Sequence, residues 1–113
     1  MSGWEVGNAV LYPAESIEND FGDVNENPLT VAYTHYAKMP FCRPTWDLSS
    51  VYDAVTSDRN AYGISGPGSI VVDEQGITRF TPDANGRHYY LTISPGQVGI
   101  ARQVLVESVV PRP

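Results

Sequence analysis

Between Ser69 and Ser94, apolar and polar residues alternate in short runs, and the turns that separate the runs end on glycine. Asp73-Glu74-Gln75-Gly76 and Pro82-Asp83-Ala84-Asn85-Gly86 both finish on the residue that accepts a positive φ without a Cβ clash, flanked by β-branched or aromatic neighbours. The spacing predicts a β-meander. Parity in its last run points Tyr89, Leu91 and Ile93 into a core and turns His88, Tyr90, Thr92 and Ser94 outward. Leu29 to Tyr36 alternates as well, with Leu29, Val31, Tyr33 and His35 opposite Thr30, Ala32, Thr34 and Tyr36, and reads as a strand. Val6 to Tyr12 reads as a short first strand stopped by Pro13, and Gln97 to Val110 as a closing strand stopped by Pro111.

Only Trp46 to Ser57 carries helical spacing, because Leu48, Val51, Tyr52 and Val55 fall at i, i+3, i+4 and i+7 behind Thr45 or Asp47 as a cap. Its β-branched Val51, Val55 and Thr56 suit a strand equally well. Met39 to Pro44 is held extended by its prolines. Ala14 to Pro28 is polar and rich in turn chemistry, and predicts an acidic surface loop over 14–28 anchored by Ile17, Phe21 and Val24. About six or seven short strands with regular turn signals predict a mostly β fold: a small antiparallel β-sandwich or Greek-key barrel with at most one short helix, over about 46–57.

Length makes residues 1–113 a single domain, large enough to bury a core without staples. The lone Cys42 rules out an internal disulfide framework. The N-terminal residues lack the basic-then-apolar pattern of a secretory signal, so synthesis in the cytoplasm is expected, and no apolar run approaches the roughly 20 residues of a membrane span. Charge is more informative. The net charge is −6, and Glu5, Glu15, Glu18, Asp20, Asp23 and Glu26 all precede the first Lys or Arg, which is Lys38. The basic residues beyond are scattered singly, so direct nucleic-acid binding is not expected. Glu15, Glu18, Asp20, Asp23 and Glu26 form either a solvated face or an acidic contact segment.

Gly76-Ile-Thr-Arg-Phe-Thr-Pro-Asp-Ala-Asn-Gly-Arg-His-Tyr-Tyr-Leu-Thr-Ile-Ser94 resembles the penultimate hairpin of immunoglobulin-like modules in phage structural and bacterial surface proteins. The resemblance implies a sandwich, with a tyrosine-corner-like role for Tyr89, and it transfers no active site.

Chemistry-bearing motifs are faint. Asp23, Asn25 and Asn27 open like a calcium loop, but Pro28 stands where that loop needs Gly and Thr34 where it needs Glu. His35, His88 and Cys42 supply too few ligands for structural zinc, and Cys42 lies between prolines with no orienting group signalled nearby. No P-loop or nucleophile elbow is present. The expectation is a non-enzymatic assembly protein with no cofactor and no metal, taking other protein subunits as partners in a symmetric assembly. A phage virion component fits best, such as a capsid decoration or head–neck protein, made in the host cytoplasm and reaching neighbours through extended ends (Met1 to Gly7, Pro111 to Pro113). The candidate contact face is His88, Tyr90 and Thr92 with Tyr36, while Trp4 and Trp46 are expected to fill the core. The alternatives are an acidic inhibitor that occupies a basic groove of a host protein, and a carbohydrate-binding module that stacks sugars on Tyr36 and Tyr90.

Overall fold

A computed structural model describes residues 2–22 and 27–111. The chain runs α1 (Trp4–Ala9), β1 (Leu11–Tyr12), α2 (Ala14–Asn19), α3 (Pro28–Tyr36), β2 (Arg43–Pro44), α4 (Trp46–Thr56), β3 (Gly63–Ile64), β4 (Gly68–Val72), β5 (Thr78–Pro82), β6 (Leu91–Thr92) and α5 (Pro95–Val109). The mostly β sandwich or Greek-key barrel is overturned: helix accounts for 44% and strand for 18%, and the strands lie in small two-stranded sheets. The expected helix is present as α4, but it is one of five among the described residues.

Capping explains the difference. The Asn27 side chain accepts from the Leu29 N–H at 2.9 Å and Pro28 takes the first turn, where its missing N–H costs nothing, so the alternating run to Tyr36 winds as a helix. The Val-rich run expected as the last strand begins at Ser94-Pro95, and the Gln97 side chain reaches back to the Ser94 N–H at 2.9 Å. Ala101 and Leu105, one turn apart, are the residues α5 buries. Residues expected in the first strand form α1, which also removes the extended N-terminus, and only Leu11 and Tyr12 remain extended. In the expected acidic loop, Ala14 to Asn19 is helical and buries Ala14, Ser16 and Ile17.

The core joins Val6, Val10, Ala61, Tyr62, Leu91, Ala101 and Leu105, with Leu48, Tyr52, Ile93 and Val104 packed against it. A chain of hydroxyls threads its interior. Thr45 Oγ1 donates to the Val10 carbonyl at 2.7 Å and lies 3.0 Å from Ser49 Oγ, which lies 2.9 Å from Tyr62 Oη. Trp46 lies against Gly7, where a Cβ would overlap the indole.

The expected meander has a different strand order. β4 pairs antiparallel with β5 in the register Gly68↔Pro82 to Val72↔Thr78, while Gly68 also bridges to His88. The third run therefore crosses to the far side of β4 instead of lying beside β5. Gly86 allows that crossing, since a Cβ there would fall on the Gly68 main chain.

Candidate functional site

The β4–β5 hairpin holds its shape through its own turn. Asp73 Oδ1 accepts from the Gln75 N–H at 3.0 Å and the Ile77 N–H at 2.8 Å, Asp73 Oδ2 accepts from Arg79 Nε at 3.2 Å, and Gly76 supplies a φ of +80°. These bonds are all local, and β4 and β5 pack chiefly on each other. An unsupported two-stranded hairpin is marginal in water, so a turn locked at several points compensates.

The hairpin is also unusually apolar for so exposed an element. Val71, Val72 and Ile77 are 61%, 62% and 52% exposed. Register places Ile70, Val72, Thr78 and Phe80 on one face and Val71 and Arg79 on the other. At the base, Phe80 meets Tyr90 edge-on with ring centroids 4.8 Å apart. Beside them opens a cleft of about 560 Å³ lined by Thr78, Phe80, Tyr90, Leu91, Ile93 and the carboxylate-bearing Glu5, among others.

Of the residues singled out from sequence, His88 bridges to β4 at Gly68, Tyr90 packs on Phe80, and Thr92 lies in β6, which pairs with β3. His88 Nδ1 accepts from the Ile70 N–H at 2.9 Å, and Tyr90 and Thr92 both line the cleft. Leu91 is buried and Ile93 packs against the core, but Tyr89, expected inside, is 42% exposed. Tyr36 lies elsewhere, at the end of α3. The Arg43 guanidinium sits 4.2 Å over its ring, and with Tyr33 and Phe41 it lines a separate cavity of about 210 Å³ that shares no lining residue with the cleft. A larger cavity of about 350 Å³ adjoins it, lined in part by Tyr12, Tyr33, Arg43, Trp46 and Val109.

Glu15 and Glu18 are exposed on α2 and Asp20 just past it, whereas Asp23 and Glu26 lie outside the described residues, as does the start of the calcium-like loop. Cys42 is exposed. His35 sits in the last turn of α3 with Nδ1 2.9 Å from the Val31 carbonyl. Trp4 does not fill the core: it is 72% exposed and stacks on Trp46 at 5.4 Å. Among the described residues no cluster of His, Cys, Asp and Glu is placed to hold a metal, and no helix is long and apolar enough to cross a membrane.

Sequence reasoning passed over Val71, Val72 and Ile77. Their signal was nevertheless there: Val71-Val72 breaks the alternation immediately before a turn, and Ile77 follows that turn at once, where a side chain is far from any core. Comparison with family models, curated proteins and solved structures finds no match, so a functional reading has to come from the geometry.

Proposed function

We propose that this chain is a non-enzymatic assembly protein whose working part is the β4–β5 arm, holding neighbouring protein subunits of a symmetric assembly. The setting we favour is a phage virion, as a capsid decoration or head–neck component. One observation carries the reading. Val71, Val72 and Ile77 are displayed at the end of a hairpin whose turn Asp73 stiffens through local bonds. Apolar side chains on a projecting, preorganised element lose little entropy when they are covered, which favours contact.

Four polar side chains that could do chemistry are engaged within the fold. Ser49, Thr45 and Tyr62 bond one another inside the core, and His88 ties the third run to β4. Changing Val71, Val72 and Ile77 together to Ser should leave thermal stability within about 1 kcal/mol, because exposed positions contribute little to folding. The same change should remove the chain from purified native particles, in which the unaltered protein is expected stoichiometrically. Absence of the unaltered chain from such particles ends the virion setting, and full incorporation of the triple variant ends the role of the arm.

A further inference from the structure

An open strand edge and the apolar cleft meet at the same residues. In the β4–β5 ladder the hydrogen-bonded pairs fall on odd positions: the Asp73 N–H donates to the Ile77 carbonyl at 3.0 Å and the Asp83 N–H to the Pro67 carbonyl at 3.1 Å, bracketing Ser69↔Thr81 and Val71↔Arg79. Antiparallel alternation then turns the N–H and C=O groups of Thr78 and Phe80 away from β4. On the far edge of β4, the groups nearest the third run are taken. Gly68 exchanges bonds with His88 at 3.0 Å, and the Ile70 N–H reaches the His88 ring at 2.9 Å. On the β5 edge, Thr78 and Phe80 have no main-chain partner among the described residues. Both also line the cleft of about 560 Å³.

We propose that the outer edge of β5 is a strand-addition site for an extended segment of a different protein. The segment pairs with Thr78 and Phe80, seats an apolar side chain against Phe80 and Tyr90, and carries a Lys or Arg facing Glu5. Strand addition draws affinity from main-chain bonds and selectivity from pockets for alternate side chains, and this edge offers both. Charge selects the occupant. Among the described residues Glu5 is the one charged side chain in the cleft lining, and the chain carries −6 overall, so a basic segment is attracted and a second copy of this chain is repelled. Pro82 has no N–H, which ends the pairing edge and sets its register.

This inference rests on the contact reading above and is tested apart from it. Random short peptides are selected on the full chain, and amide exchange is compared in free and peptide-bound protein. The selected peptides should alternate apolar residues, carry Lys or Arg, and slow exchange of the Thr78 and Phe80 amides by roughly tenfold or more. Thr78→Pro removes an edge donor and no ladder bond, and should weaken them by roughly tenfold. Tyr90→Ala strips the cleft wall without changing the β5 main chain, and should weaken them too while cross-strand NMR contacts between Ile70 and Phe80 persist. Glu5→Gln should weaken the basic peptides but not their Lys→Met counterparts. Peptides that protect only the Tyr33–Arg43 surface overturn the proposal. So does affinity unchanged in both Thr78→Pro and Tyr90→Ala, or a homodimer that slows the same amides. Incorporation that depends on Val71, Val72 and Ile77 without protection of Thr78 and Phe80 overturns this inference alone. Protection of those amides with incorporation indifferent to the Ser triple overturns the assembly reading alone.

Discussion

Tyr62 is the largest fully buried side chain among the described residues, and its hydroxyl ends the chain of bonds that runs through Ser49 and Thr45 to the Val10 carbonyl. Burial pushes its phenol above the ordinary tyrosine value, opposed by the Ser49 hydrogen bond and helped by Tyr52 and Asp53. Tyr12 is raised for the same first reason, opposed by its bond to Ser16 and helped by Asp20. A raised folded-state pKa means the fold prefers the protonated phenol. The stability it contributes is fully present below the unfolded value of about 10 and is lost as pH rises through the folded value. Denaturant midpoints should therefore be flat from neutral pH to about pH 9 and fall beyond about pH 10. Tyr62→Phe should cost about 1 kcal/mol at neutral pH through the lost hydrogen bond and yet show a shallower alkaline fall. Parallel alkaline limbs in the two proteins would assign that fall to Tyr12 or another phenol.

At the scale of elements, Asp73 decides whether the arm is an arm. Its carboxylate accepts from Gln75, Ile77 and Arg79, and its N–H closes the ladder to Ile77. Asp73→Ala should raise amide exchange across Gly68–Pro82 by roughly tenfold while leaving the global unfolding midpoint in place, because local opening and global unfolding draw on different contacts. A shift of the global midpoint by the full local amount would mean that the hairpin and the core fold as one unit. This hairpin was also the most legible part of the sequence, since turn chemistry at Asp73–Gly76 and β-branched flanks act over a few residues. The helices were less so. In a run as dense in Val as 97–110, alternation and helical spacing both find apolar matches, and the decision falls to the end signals: Ser94-Pro95 with Gln97, and Asn27-Pro28 before α3. Those signals were present, but the parity of Leu29, Val31 and Tyr33 masked the second pair. What no local pattern contains is the crossing of the chain over Gly68, which depends on Gly86 lacking a side chain. That crossing puts Tyr90 and Thr92 beside Thr78 and Phe80 in one cleft, and leaves Tyr36 at another.

The whole molecule is long and carries much apolar surface. Its radius of gyration is 16.2 Å, where a chain of this length packs to about 13 Å. Its accessible surface is 7454 Å², against about 6,100 Å² for a compact protein of its mass. Such a shape spends little area on its own core and leaves more for contact, and in the proposed assembly the −6 charge would set how neighbours arrive. In the proposed assembly role, carboxylates on α2 would act at a distance and without fixed geometry and so govern encounter, while Val71, Val72 and Ile77 would act only once covered and so govern dissociation. In that role, rebinding of the chain to particles stripped of it would separate the two. Raising salt from about 0.05 M to about 0.5 M should slow association by roughly tenfold and leave dissociation nearly unchanged. Glu15→Gln, Glu18→Gln and Asp20→Asn combined should flatten that salt dependence, whereas the Ser triple on the arm should speed dissociation at every salt concentration. An association rate indifferent to both salt and the α2 substitutions would make the acidic first quarter a solubility device, with the partner's basic character confined to what Glu5 meets in the cleft.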